Sequence, residues 1–119
     1  MNVEIDYSVL DGIASLQRPN KPNLLETVVG LFESESPKCI TQILEGISAG
    51  DADMIRMGAH SLKSSSANLG AVELSGRCRD IEYAARQDDL ETCAKLSEQL
   101  VAEFDASILC ISNHMKKVA

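Results

Sequence analysis

Apolar residues recur at steps of three and four along almost the whole chain, and few stretches alternate with a period of two. That spacing predicts five or six helices. A first, short helix places Ile5, Val9, Leu10, Ile13 and Leu16 on one side, and Pro19 and Pro22, with Asn20 and Asn23, break it. A second runs from about Pro22 to Glu33 and carries Leu24, Leu25, Val28, Leu31 and Phe32. Ser36 reads as the cap of a third, with Pro37 in its first turn, Ile40, Ile43, Leu44 and Ile47 as its buried positions, and Gly50 after its end. Asp51 caps a fourth helix that reaches about Asn68, with Gly70 just beyond. Leu74, Cys78, Ile81 and Ala85 mark a fifth. Asp88 with Glu91 predicts a capping box that opens a long last helix carrying Leu96, Leu100, Phe104, Ile108 and Ile111. Short connections between helices of this length favour antiparallel neighbours, so the expected fold is all-α, an up-down bundle in one domain over residues 1–119.

Composition agrees with helix packing. The only aromatic residues are Tyr7, Phe32, Tyr83 and Phe104, so the core must be built from Leu, Ile, Val, Ala and Met. A net charge of -7 repels phosphate backbones, and no basic patch interleaved with aromatics is present, which argues against nucleic acid as a partner. Cys39, Cys78, Cys93 and Cys110 include no C-x-x-C pair and each falls inside a helical pattern, as expected of reduced cysteines serving as small apolar residues. The start MNVEIDYSV has neither a basic opening nor an apolar run, and no stretch approaches the length of a membrane span. A cytoplasmic protein is expected. Met1 and the compact length favour a free-standing chain, and a monomer is expected.

The fourth helix carries the chemistry. On a helical wheel Ile55, Ala59, Leu62, Ser66 and Leu69 fall within a stripe about 80° wide, the core face. His60 lies roughly 140° from the centre of that stripe and points to solvent. Its neighbours on the same surface are small (Ser64, Ala67) or cationic (Arg56, Lys63), with Met57 and Asp53 one and two turns earlier. Phosphoryl transfer asks a protein mainly for positioning and charge stabilisation. An exposed imidazole is a nucleophile that is neutral near physiological pH, small neighbours let a second protein approach, and Lys63 offers a mobile point charge to phosphoryl oxygens. Ser64, Ser65 and Ser66 are poor helix formers, so small size rather than propensity accounts for them.

The segment AHSLKSSSANLGA (residues 59–71) resembles the signature of histidine-containing phosphotransfer (HPt) domains of two-component phosphorelays, His-x-Leu-Lys-Gly-Ser-Ser followed by a Leu-Gly pair. The resemblance continues through Leu74, Cys78, Ile81, Glu82 and Arg86. It implies a four-helix bundle, here about 36–119, with additional N-terminal helices, here about 1–35, as a cap. It implies that His60 is the phosphorylated residue, that Lys63 stabilises the phosphoryl group, and that Glu82 and Arg86 lie near the site. Arg56, Met57, Ser64, Ala67, Glu82 and Arg86 are then the docking or orienting residues. Ser64 stands where many members have glycine. The partners implied are receiver domains of response regulators or hybrid sensor kinases, which supply the aspartate and the Mg²⁺. On this reading the chain is a phosphoryl carrier and not an enzyme, with no cofactor or metal of its own. No Walker A pattern or glycine-rich ATP lid is present.

Three other readings compete. A helical adaptor that binds a signalling partner without phosphorylation would tolerate His60→Gln. A di-iron bundle needs inward Glu and Glu-x-x-His sets, and neither His60 nor His114 has a glutamate at that spacing. A hydrolytic triad lacks an orienting acid and oxyanion donors beside Ser64 and His60. His114, near the end of the last helix, suits the helix dipole and is assigned no function.

Overall fold

Short polar side chains open most of the helices. In a computed structural model that describes residues 1–118, Asp6, Asn23, Asp51 and Asp89 each accept a first-turn backbone N–H. The helices they open are α1 (Tyr7–Ala14), α2 (Leu24–Ala49), α3 (Ala52–Ala67) and α5 (Leu90–Ser97); α4 (Val72–Arg86) and α6 (Leu100–Val118) complete the bundle. The result is the expected all-helical up-down bundle, with α1 as an N-terminal cap. No described helix is long and apolar enough to cross a membrane.

Four expectations need correction. The predicted second and third helices are one continuous helix, α2, with Pro37 inside it. Ser36 is no cap; it is 1% exposed and its hydroxyl has no hydrogen-bond partner among the described residues. Proline removes one backbone hydrogen bond. However, Leu25, Val29, Phe32, Ser36, Ile40 and Ile43 form one in-phase buried stripe through it, and packing along that stripe outweighs the lost bond. The expected boundary between cap and bundle near residue 35 therefore lies within a helix. Second, the long last helix is two, parted at Glu98 and Gln99. Third, its cap is Asp89, which accepts from Thr92 N at 3.1 Å, while Asp88 sits in the left-handed region at φ 57°. Leu44, expected inside, is an exposed side chain.

Helix α3 lies between α2 and α4 and packs along both. Against α2 the approach is close at Gly58, where a Cβ would stand 2.9 Å from the Cys39 carbonyl oxygen and 3.0 Å from Ile43 Cγ1. Any larger residue two places before His60 would push the helices apart. At the far end of α3 the chain turns through Gly70, φ 77°, and a Cβ there would meet the Asp6 carbonyl oxygen. The N-terminal segment straps this turn. Asp6 N donates to Gly70 O at 2.7 Å, Leu10 is fully buried, and His114 Nε2 lies 2.7 Å from Asp11 Oδ1 with the Tyr7 ring stacked on its imidazole. His114 thus joins α6 to the cap.

Candidate functional site

The two faces of α3 are divided as the sequence predicts. Ile55, Ala59, Leu62 and Ser66 are each 0% exposed, and Leu69 beyond the helix end is 1% exposed. His60 stands opposite, with 57% of its side chain exposed.

The histidine is held from α4. Its Nδ1 lies 2.8 Å from Glu82 Oε2. The other carboxylate oxygen, Oε1, accepts from Lys63 Nζ at 2.6 Å, and Oε2 also accepts from Arg86 Nη2 at 3.1 Å. Three cationic or donor groups from two helices thus converge on one carboxylate that is 6% exposed. Burial alone would raise the pKa of Glu82. The hydrogen bonds from Lys63, Arg86 and His60 outweigh it and pull the group down to about 2. An ionised carboxylate can only accept, so the proton in the His60–Glu82 bond sits on Nδ1. The neutral imidazole is thereby fixed in one tautomer. Nε2, without a protein partner among the described residues, keeps its lone pair free.

The remaining predicted residues frame this centre. Met57, Ser64 and Ala67 are exposed on the same helix. Arg56 is half-buried and its Nε lies 3.8 Å from Asp53 Oδ1, so its charge is turned along α3 and not onto the imidazole. Arg86 reaches the centre through Glu82, not directly. Sequence reasoning missed Ser75, whose Oγ donates to the Lys63 carbonyl at 3.0 Å and ties α4 to the backbone that carries the lysine. A serine in the first turn of a helix carries no sign of such a contact. It also missed an apolar recess of about 340 Å³ between α2 and α3, lined by Val28, Leu31, Phe32, Cys39, Ser61 and Ser65. Ser61 carries this recess up to the neighbour of His60. Cys78, one turn before Glu82, offers no competing nucleophile: burial, with the Glu103 carboxylate adding to it, pushes its thiol up to about 12.

A sequence model of the Hpt domain matches residues 27–108. The chain belongs to this family. Histidine phosphotransfer in two-component signalling is accordingly its function. Histidine-containing phosphotransfer protein 4 of Arabidopsis thaliana is 28% identical over 93 residues, 76% of this chain and 73% of that protein. Pseudo histidine-containing phosphotransfer protein 2 of Oryza sativa subsp. japonica is 26% identical over 76% of this chain. The match spans 62% of the rice protein, less than two thirds of its length. The crystal structure of histidine-containing phosphotransfer protein B from Pseudomonas aeruginosa PAO1 superimposes with a TM-score of 0.84 at 27% identity, over 96% of each chain. This Hpt domain therefore shares its bundle with a solved phosphotransfer protein along nearly its whole length. Because one relative is named as a pseudo member, the assignment of an acceptor must rest on the chemistry around His60.

Proposed function

We propose that His60 is the phosphoryl acceptor and donor of this Hpt domain, exchanging the group with receiver-domain aspartates. The observation that carries this reading is the single hydrogen bond from His60 Nδ1 to the ionised Glu82 carboxylate. It leaves Nε2 as an exposed nucleophile on an otherwise anchored ring. Nε2 attacks the phosphorus of an aspartyl phosphate, the P–N bond forms, and the P–O bond breaks with the aspartate leaving as a carboxylate. The imidazole keeps its Nδ1 proton, so the ring takes a positive charge, which the Glu82 carboxylate 2.8 Å away offsets. The reverse transfer uses the same atoms. Lys63, whose side chain is 31% exposed, is close enough to the surface to meet phosphoryl oxygens. Glu82 orients the ring. Met57, Ser64 and Ala67 form the low surface on which the receiver sits, with Arg56 at its edge.

The partner is a receiver domain that brings the aspartate and the Mg²⁺. The chain itself acts as a carrier and needs no nucleotide. Cytoplasmic location and a monomeric state complete this reading.

The test is a phosphotransfer assay. Wild type and His60→Gln are incubated with several phosphorylated receiver domains and Mg²⁺ and resolved on a phosphate-affinity gel. An acid-labile shifted band in wild type only is expected, and Lys63→Ala should slow its appearance while preserving the fold. A folded wild type that never shifts with any receiver would replace this reading with that of a non-phosphorylated adaptor.

A further inference from the structure

Two anions compete for the Lys63 ammonium. At rest it lies 2.6 Å from Glu82 Oε1. Once Nε2 carries a phosphoryl group, the same ammonium is needed on the phosphoryl oxygens. Glu82 cannot simply be abandoned. Its side chain is only 6% exposed, so water is a poor substitute for a departing cation. A buried carboxylate deprived of its counter-charge either holds the cation back or takes up a proton. Either outcome harms the transfer, the first by pinning Lys63 and the second by removing the acceptor that fixes Nδ1–H.

Arg86 supplies the missing charge. It stands one turn after Glu82 on α4, donates to Oε2 at 3.1 Å, and keeps 54% of its side chain in water. It binds the oxygen that Lys63 does not use, so Lys63 can leave without disturbing it. A guanidinium also stays charged at every relevant pH. We propose that Arg86 is a positioning residue for phosphoryl transfer: by keeping Glu82 charge-paired, it releases Lys63 to the phosphoryl group. This rests on His60 being the acceptor. Arg86 touches neither the ring nor the phosphoryl group, and its effect passes entirely through the Glu82 carboxylate.

The experiment removes docking from the measurement. The full chain is phosphorylated with phosphoramidate, a small donor that needs no protein interface, and phosphohistidine is followed by intact mass at neutral pH. Wild type, R86Q, R86K, E82Q and the double variant E82Q/R86Q are compared, each checked for its helical spectrum and melting. R86Q should react about tenfold more slowly, the size expected when one charge-assisted hydrogen bond is withdrawn. R86K should recover most of the rate. In the E82Q background, where no carboxylate needs a cation, R86Q should have no further effect. R86Q reacting at the wild-type rate, or R86Q causing the same loss with and without the Glu82 charge, overturns the proposal. Loss of transfer from a receiver but not from phosphoramidate makes Arg86 a docking residue and likewise overturns it. A folded wild type that takes no phosphoryl group from phosphoramidate removes the acceptor reading itself, and this inference with it.

Discussion

Leu62→Ala and His60→Gln, two residues apart on α3, should have opposite consequences. Leu62 is 0% exposed and lies on the core side of the helix. Replacing it with alanine removes three methylene equivalents from the interior. At about 0.8 kcal/mol each, transfer alone costs about 2.4 kcal/mol. The cavity left between well-packed helices adds to this, so about 3–4 kcal/mol is expected, inside the range of about 2–5 for such truncations. A domain of this kind has a total stability of about 5–15 kcal/mol. The variant should still fold, with its melting temperature lowered by about 10–15 °C. His60→Gln removes an exposed ring, and the Glu82 carboxylate keeps Lys63 and Arg86. Its cost should stay within about 1 kcal/mol. Urea unfolding of both variants, followed by circular dichroism and fitted with a common slope, measures the difference directly. The division of α3 into a packing face and a chemical face is refuted if Leu62→Ala costs under about 1 kcal/mol while His60→Gln costs over about 2.

The Glu82 carboxyl predicts a pH dependence of stability. Its group is lowered from the ordinary 4.5 to about 2 in the folded protein, so the unfolded chain binds the proton more readily between those values. The stability it contributes is fully present above about 4.5 and is lost as pH falls towards about 2. Glu82→Gln should therefore flatten the fall in melting temperature across that window, and an unchanged profile would contradict the network around the carboxylate. A second buried carboxylate, Glu103, is 1% exposed; Arg77 Nε donates to its Oε1 at 2.7 Å, and Oε2 has no partner among the described residues. Arg77→Ala should cost about 3–5 kcal/mol, because it leaves a buried charge uncompensated, and Arg77→Ala with Glu103→Gln should recover much of that in denaturant unfolding.

Much of the site was legible before folding because it is local. The residues from Ile55 to Ser66 sit on one helix, and a period of 3.6 alone separates Leu62 from His60, as the burial of one and the exposure of the other bear out. Lys63 follows His60 by three residues, which already places it on the same side. The cap at Asp51 was equally local, since it needs only a short polar side chain three residues before a free N–H; Asn23, read as a helix breaker, caps α2 by the same contact. The errors came where a local signal met a longer-range one. Ser36–Pro37 has the residue types of a helix start, yet the buried stripe from Leu25 to Ile43 runs through it without a phase change. Packing over about five turns prevails there over one missing hydrogen bond. The break at Glu98–Gln99 carries neither glycine nor proline to announce it.

What only the tertiary structure decided is the charge arithmetic of the site. The sequence places His60 and Lys63 on α3 and Glu82 and Arg86 on α4, 22 and 19 positions separating the acid from its two α3 partners. Which nitrogen of the ring carries the proton depends on where that acid lies, and only the antiparallel packing of α3 on α4 brings it within 2.8 Å of Nδ1. By itself the sequence determined the all-helical class, the inward and outward faces of α3, and the exposed histidine, because those follow from residue type and helical period. The tautomer, the buried carboxylate shared by two cations, and the recess between α2 and α3 arise from contacts between helices. Such contacts depend on how closely backbones approach at Gly58 and how the chain turns at Gly70, and no period along the chain encodes them.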